Sequence, residues 1–292
     1  MMTTLQEKIQ RFYDASSGLW EQIWGEHMHH GYYGPDGSQV KERRQAQIDL
    51  IEELLAWGRV NTATLGSSSS GHSSHILDVG CGIGGSALYL AEKFGAAVAG
   101  VTLSPVQAKR ATERAAAFGL GDRAQFQVAD ALALPFADQS FDLVWSMESG
   151  EHMPDKQQFL QECYRVLKPG GKFLMATWCH RPTPPALTPE EQEHLEKIYR
   201  VYCLPYVISL PDYVQIAEQI GFGAVRSEDW SQAVAPFWNI VIDSALTPAA
   251  LIGLVQSGWT TIQAALSLGL MSRGYRRGLV KFGILVGTKP TA

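Results

Sequence analysis

The amino-acid sequence predicts an α/β fold: a doubly wound, mostly parallel seven-stranded sheet with helical lid insertions and an N-terminal helical arm. From His75 onward, apolar strand-like runs alternate with helix-like segments, a pattern typical of a parallel sheet. Residues 76–85 read Ile-Leu-Asp-Val-Gly-Cys-Gly-Ile-Gly-Gly, an apolar strand that breaks into a glycine-rich loop opening a helix. Doubly wound sheets bind their ligands at such a strand–loop–helix corner.

Length and composition narrow the class of protein. The chain has 292 residues with 46% hydrophobic content, which suits one large domain with sizeable insertions. Its net charge of −5 disfavours nucleic acid as a partner, because phosphate binding favours a basic surface. The four cysteines form no C-x-x-C pair, and no secretory signal opens the chain. We therefore expect reduced thiols, no metal site, and a location in the cytoplasm or at the periphery of an internal membrane.

The order of the elements follows from apolar periodicity and turn residues. An aromatic-rich helical segment at 5–24 precedes a helix from about Lys41 to Trp57, whose apolar residues recur on one face. Lys168-Pro169-Gly170-Gly171 predicts a tight turn before the fifth strand. Strands are expected near residues 75–79, 97–101, 124–128, 141–147, 171–178, 222–228 and 282–288, and helices near 84–94, 105–118, 156–167 and 211–220.

Three parts of the chain follow from this order. Residues 1–60 are expected to form a helical arm that covers the ligand site, and residues 61–74 a Ser/Gly-rich linker. Residues 75–292 would form the sheet domain. Two segments, at about 180–210 and 232–280, do not fit the plain sheet. We interpret them as lids over the carboxyl ends of the strands.

The glycine loop by itself is compatible with two cofactors. Gly80, Gly82 and Gly85 satisfy the G-x-G-x-x-G spacing of a dinucleotide site, whereas Gly80, Gly82 and Gly84 satisfy the tighter spacing of an S-adenosylmethionine site. An NAD enzyme is expected to place Asp or Glu at the end of the next strand, to bind the ribose hydroxyls. This chain has Thr-Leu-Ser-Pro at 102–105, which disfavours NAD.

Five ordered blocks carry a resemblance. They are Asp78 to Gly85, Thr102 to Gln107, Asp130-Ala131, Ser146 to His152, and Leu167 to Gly171, and together they resemble the motif series of class I S-adenosylmethionine-dependent methyltransferases, which have a Rossmann-like fold. The resemblance implies S-adenosyl-L-methionine as the cofactor. Its binding residues would be Asp78, Gly80, Gly82, Gly84, Thr102, Leu103, Gln107, Asp130, Ala131, Met147, His29 and Gly31.

Further blocks resemble one family in particular, the γ-tocopherol methyltransferase family. They lie at residues 26–35, 145–154, 176–181, 202–206 and 235–238. The resemblance implies C-methylation of the chromanol ring of γ-tocopherol, and of δ-tocopherol, with a lipophilic small molecule as the partner. Tyr13, Trp24, Tyr32, Trp178 and Tyr206 would contact it. Two alternatives stay open: an N- or O-methyltransferase of a hydrophobic secondary metabolite, and a non-catalytic cofactor-binding protein.

The implied reaction requires a base, because a phenol with a pKa of about 10 loses its proton before the neighbouring ring carbon attacks a methyl group. His152 is the leading candidate, since it follows the fourth strand at the ligand edge. Glu148 and Glu151 are the alternatives. A further possibility is that Glu148 or His152 caps the following helix or binds the N-terminal arm.

Two other segments have competing interpretations. The 245–270 segment has apolar residues at helical spacing and is followed by Arg273, Arg276 and Arg277, so it is either a membrane-surface helix or a lid packed on the core. His27, His29 and His30 have odd spacing and no acidic cluster nearby, which disfavours a metal site. We expect this segment to close over the cofactor.

Overall fold

The computed structural model describes residues 7, 9–11, 13, 14, 21, 25–65, 73–245 and 269–291. Within them, seven strands form one sheet in the order β3-β2-β1-β4-β5-β7-β6. All neighbouring strands are parallel except that β7 runs antiparallel to β5 and β6. The predicted doubly wound, mostly parallel sheet is confirmed. The strands are β1 (His75–Val79), β2 (Ala97–Thr102), β3 (Ala124–Val128), β4 (Phe141–Met147), β5 (Leu167–His180), β6 (Gly223–Asp229) and β7 (Val280–Thr288).

Helices connect the strands and flank the sheet. They are α1 (Arg43–Trp57), α2 (Thr62–Leu65), α3 (Gly85–Phe94), α4 (Pro105–Ala117), α5 (Lys156–Val166), α6 (Pro189–Tyr202), α7 (Leu210–Ile220), α8 (Ser231–Val234) and α9 (Pro236–Ala245). A 3₁₀ turn at Gly150–His152 follows β4, and residues 269–276 are helical.

Two hydrophobic clusters pack on opposite faces of the sheet. Alternate residues of one strand divide between them, so Ile76 belongs to one cluster and Leu77 to the other. Trp145 and Val144 of β4 divide in the same way. Both faces are therefore buried, which explains why these strands read as continuous apolar runs in the sequence.

The order of the strands determines where a ligand site is expected. β1 lies between β2 and β4. From β1 the chain continues to β2 and β3 on one side, and it then returns to form β4 on the other side of β1. Such a reversal of strand order leaves a crevice at the carboxyl edge of the sheet. The loops that follow β1, β2, β3 and β4 all end at this edge, so they converge on the crevice.

Two local predictions are corrected. The expected turn at 168–171 lies within β5, where the pairing of β4 with β5 jumps from Phe141–Leu167 to Leu143–Lys172. The additional residues form a bulge, with Gly170 at φ +80°. The predicted linker at 61–74 contains α2, whose Leu65 is buried in the core, while residues 66–72 lie outside the described residues.

Helices occupy the described parts of both segments interpreted as lids. The 180–210 segment contains α6, which begins with a capping box between Thr188 and Glu191. The 232–280 segment contains α9 and the helical residues 269–276. Most of the predicted amphipathic 245–270 helix lies outside the described residues. Of the helices that are described, none combines the length and apolar content needed to cross a bilayer.

Candidate active site

The loop after β1 is shaped by glycines with positive φ. Gly80 has φ +82°, and a Cβ added there would lie 2.2 Å from the Cβ of Ser149 on the neighbouring β4 loop. Gly82 has φ +52° and an added Cβ would meet no protein atom within 4 Å. Both line one cavity at the carboxyl edge of the sheet. The loop backbone is therefore packed against protein at Gly80 and open toward a ligand at Gly82.

Two buried hydrogen-bond acceptors face this cavity. Asp78 is the penultimate residue of β1, and its Oδ2 has no hydrogen-bond partner among the described residues. Burial raises the pKa of Asp78 to about 7, against the opposing bond from the Ala87 amide. His29 Nδ1 donates to the carbonyl of His30 at 2.8 Å, and burial lowers the pKa of His29, so a neutral ring presents bare Nε2 as an acceptor. Together they suit an ammonium group, such as that of the methionine part of the predicted cofactor.

The loop after β2 supplies a polar pair for the opposite end of the cavity. The hydroxyl of Thr102 donates to Oε1 of Gln107 at 2.8 Å, so the Gln107 amide NH₂ is the donor offered to a ligand. The Ser104 hydroxyl caps α4 by accepting a hydrogen bond from the backbone N–H of Gln107 at 3.1 Å, which holds Gln107 in the first turn. The cavity lining here continues through Leu103, Asp130, Ala131 and Met147.

His152 lies in the same cavity and contacts the side chain of Tyr13. Its Nε2 and the Tyr13 hydroxyl lie 2.6 Å apart in a hydrogen bond. Burial, assisted by the nearby Lys156, lowers the pKa of His152 to about 3, so the imidazole is neutral. Burial and the Glu151 and Glu148 carboxylates raise the pKa of Tyr13, which keeps its hydroxyl protonated. The pair is thus a neutral imidazole and a phenol.

Glu148 is committed to the N-terminal segment. It accepts from the amide and the Nδ1 of His30, at 2.6 and 2.8 Å, and from Nε1 of Trp178 at 2.9 Å. Burial favours a raised pKa for Glu148, but His30 has the larger combined effect and the pKa lies below its ordinary value. These contacts correspond to the alternative in which Glu148 binds the arm. Its ionised carboxylate stabilises the closed segment and is less suited to act as a base.

Glu151 has a different environment. It is 1% exposed and accepts a hydrogen bond from Thr177 Oγ1 at 2.8 Å. Burial, followed by repulsion from Glu148, raises the pKa of Glu151 to about 8. Of the three candidate bases, this side chain has the pKa nearest to that of a working general base at neutral pH.

Several predicted site residues lie outside the cavity lining. Gly31 packs on α1, where an added Cβ would lie 2.6 Å from the Cβ of Ala46. Gly84 packs against Phe126, and the Tyr32 ring lies 5.3 Å from that of Trp230. Tyr206 is 39% exposed, with the Lys156 ammonium 4.9 Å from its ring. Trp24 lies outside the described residues.

Other residues line the cavity without having been predicted. Tyr202 is the last residue of α6, four residues before Tyr206 in the same sequence block, and it lines the cavity whereas Tyr206 does not. Apolar side chains join it: Ile9, Met28, Ile83, Met153 and Pro154. Within the described part of the chain, no group of three or more His, Cys, Asp or Glu side chains is placed to hold a metal ion.

Comparisons with known proteins identify the class of protein to which this fold belongs. Residues 77–175, which include the glycine loop and the β4 turn, match the family model described as "Methyltransferase domain". Geranyl diphosphate C-methyltransferase from Streptomyces coelicolor A3(2) has the same fold, with a TM-score of 0.76 at 20% identity over 98% of both chains. The chain is an S-adenosylmethionine-dependent methyltransferase, and the predicted enzyme class and cofactor are confirmed.

Two curated relatives define the family more closely. "Tocopherol O-methyltransferase, chloroplastic" from Arabidopsis thaliana is 50% identical over 98% of this chain and 83% of its own length. Norajmaline N-methyltransferase from Rauvolfia serpentina is 33% identical over 96% of this chain and 97% of its own. The chain belongs to the tocopherol methyltransferase family, as the sequence blocks predicted.

Proposed function

We propose that this protein transfers a methyl group from S-adenosylmethionine to a ring carbon of γ-tocopherol, and of δ-tocopherol, beside the free phenol. The observation that carries the proposal is the hydrogen bond of 2.6 Å between the Tyr13 phenol and His152. It supports the proposal because a phenol hydroxyl of the chain itself bonds a neutral imidazole in this cavity. An acceptor phenol that replaces Tyr13 would make the same bond.

The cofactor supplies an electrophilic methyl group on a sulfonium, and the protein supplies the geometry and the proton acceptor. As the neutral Nε2–H tautomer, His152 would donate a hydrogen bond to the phenol oxygen and orient its ring, which leaves the phenol proton directed at Glu151. Because the pKa of His152 is lowered to about 3, its imidazole is a weak base toward a phenol. Glu151, with its pKa raised to about 8, is better matched to take the proton. We therefore assign orientation to His152 and proton acceptance to Glu151.

This arrangement favours methylation at carbon over methylation at oxygen. A phenol oxygen held by His152 and facing Glu151 has its lone pairs directed at protein groups. The neighbouring ring carbon, which gains electron density as the proton leaves, is then the nucleophile free to face the methyl group. When the methyl group has moved from sulfur to this carbon, the carbon loses its own proton and the oxygen regains one from Glu151, which restores the aromatic phenol. Holding that carbon in a cavity closed to water accounts for much of the expected rate.

The cavity lining supports a lipophilic acceptor. Ile9, Met28, Met153 and Pro154 lie on the cavity wall beside the aromatic rings of Trp178 and Tyr202. Such a wall favours an apolar ring system, because binding removes apolar surface of both the ring and the wall from water. Glu148, the ionised carboxylate nearby, already binds His30 and Trp178.

The test is an assay of the purified protein with S-adenosylmethionine and each tocopherol isomer. We expect γ-tocopherol to gain one methyl group and to elute with authentic α-tocopherol in chromatography coupled to mass spectrometry. The product keeps a free phenol, so it still reacts with a silylating reagent. A product of the same mass that resists silylation would be the O-methyl ether and would contradict the proposal. Methylation of an alkaloid amine alone would favour the N-methyltransferase alternative.

Two variants test the assigned roles. For Glu151→Gln we expect turnover to fall and the rise of kcat with pH, centred near the Glu151 pKa of about 8, to disappear. For His152→Ala we expect lower turnover with that rise retained. Binding of S-adenosylhomocysteine, measured by calorimetry, should stay near normal in both. If His152→Ala abolished the pH dependence and Glu151→Gln kept it, the two roles would be exchanged.

A further inference from the structure

A buried lysine supports the turn that carries His152. Lys156 is the first residue of α5 and is only 2% exposed. Its ammonium group donates to the carbonyl oxygens of Gly150 and Glu151, both at 2.9 Å. The Tyr206 ring lies 4.9 Å from the same nitrogen. The ammonium is thus enclosed by two carbonyls of the 3₁₀ turn and one aromatic face.

This placement is unfavourable for stability. A cation in the first turn of a helix opposes the helix dipole, and burial costs a lysine its hydration. Burial lowers the pKa of Lys156 to about 7, although Glu151 and Cys179 oppose the shift. The turn also has a second anchor, because the Tyr213 hydroxyl donates to the Gly150 carbonyl at 3.2 Å. Anchoring the backbone therefore does not by itself require a charged group.

The charge acts on the two residues assigned to the reaction. Lys156 opposes protonation of the His152 imidazole, and it favours the ionised form of Glu151. Both effects serve the roles described above, since His152 must stay neutral while Glu151 must be ionised to accept a proton. Neither effect requires Lys156 to contact the acceptor, and it does not belong to the cavity lining.

We propose that Lys156 is a positioning residue of the active site, whose buried amino group holds the Gly150–His152 turn through two hydrogen bonds and whose protonated form places a positive charge beside the His152 imidazole. The proposal rests on the function proposed above, because Lys156 acts through His152 and Glu151. It also explains Tyr206, which sequence blocks marked as a site residue and which contacts Lys156 instead of the cavity.

The chain offers a matched control for a test. Lys289 donates to the carbonyls of Tyr164 and Arg165, at 2.9 and 3.2 Å, and lies 4.7 Å from the Tyr164 ring. It has the same three kinds of partner, but they belong to α5 and not to the 3₁₀ turn that carries His152. We compare Lys156→Met with Lys289→Met. Both lose a lysine that binds two carbonyls and a tyrosine, but only the first loses a charge beside His152.

We expect Lys156→Met to lower kcat between about tenfold and a hundredfold, because a small displacement of a reacting group has that effect, while Kd for S-adenosylhomocysteine changes little. Lys289→Met should keep the kcat of the wild type. Lys156→Arg, which retains a cation, should recover part of the loss. If Lys156→Met does not fold, Tyr206→Leu removes the ring beside the ammonium and should lower kcat in the same direction to a smaller extent.

A second measurement needs no acceptor. The ¹⁵N chemical shifts of the His152 imidazole at pH 7, assigned by comparison with His152→Gln, should move in Lys156→Met and stay unchanged in Lys289→Met. Unchanged His152 shifts, or an equal kcat in the two methionine variants, would overturn the proposal. Moved shifts in a protein that does not methylate tocopherols would instead contradict the proposed function alone.

Discussion

The two halves of the cavity are built in different ways. The part that we assign to the cofactor, called the cofactor half, is formed by the loops after β1, β2 and β3. Its contacts join residues that are close in sequence, such as Thr102 and Gln107, five residues apart. The acceptor half joins distant segments: His30 bonds Glu148 over 118 residues, and Tyr13 bonds His152 over 139. Backbone conformation therefore determines the first half, whereas packing of the N-terminal arm on the sheet determines the second.

A large expected effect concerns the contact between the loop after β1 and the loop after β4. Gly80→Ala would place a methyl group against the Cβ of Ser149 at a φ of +82°. We expect a loss of about 2–5 kcal/mol in the free energy of unfolding, from left-handed strain plus overpacking. Urea denaturation measures it.

Gly82→Ala is the control, since its φ is +52° and an added methyl meets no protein atom within 4 Å. We expect only the strain of about 1–2 kcal/mol there. Equal losses in the two variants would mean that Gly80 does not connect the cofactor loop with the β4 turn.

Glu148→Ala tests whether the acceptor half depends on the arm. The substitution leaves His30 buried beside an empty position, and we expect a loss of about 3–5 kcal/mol in the free energy of unfolding. As a control, Glu52→Ala removes a carboxylate that binds Tyr89 and Lys93 but is 39% exposed. That loss should stay below about 1 kcal/mol. An unchanged stability with abolished turnover would instead support Glu148 as the base.

The Glu151→Gln variant should be more stable than the wild type by an amount that depends on pH, because the fold raises the pKa of Glu151. The pKa rises from an ordinary 4.5 in the unfolded chain to about 8 in the fold. Between these values the folded state binds more protons, so stability falls as pH rises. The variant avoids this fall, and its advantage in melting temperature should grow from pH 4.5 to 8. Glu113→Gln, at a half-exposed position, should show no such trend.

The smallest expected effect lies within the cofactor half. Thr102→Val removes the hydroxyl that donates to Gln107, and we expect Kd for S-adenosylhomocysteine to rise by about tenfold or less, as for one lost hydrogen bond. Thr112→Val in α4 removes a hydroxyl bonded to the Ala108 carbonyl, and calorimetry should show no change in Kd. If Thr102→Val lost more free energy of cofactor binding than Glu148→Ala loses in free energy of unfolding, the order of the two halves would be reversed.

Sequence patterns predicted the sheet and the glycine loop after β1, because strand alternation and glycine spacing are local properties of the backbone. They placed Asp78, Thr102, Gln107 and Asp130 in one site, and the structure brings these residues to one cavity. They were less successful at the acceptor half. Tyr206 was selected although Tyr202 faces the cavity, since both rings belong to one sequence block and only packing distinguishes them.

The same contrast separates the candidate bases. The order Glu148, Glu151, His152 identifies three titratable groups at the end of β4, and the sequence alone leaves their roles open. Their pKa shifts depend on neighbours that are remote in the chain. Glu148 is kept ionised by His30, while Glu151 is buried beside Thr177 and Glu148 with a raised pKa.

The sequence by itself determined the fold class, the methyl donor and the family of this protein, because glycine loops, strand ends and ordered blocks encode local geometry. Only the tertiary structure decided which side chains share the acceptor cavity, and it revealed Lys156 behind the His152 turn. Burial, charge and hydrogen bonding between distant segments arise only when the chain has packed. These long-range contacts set the protonation states on which the chemistry depends.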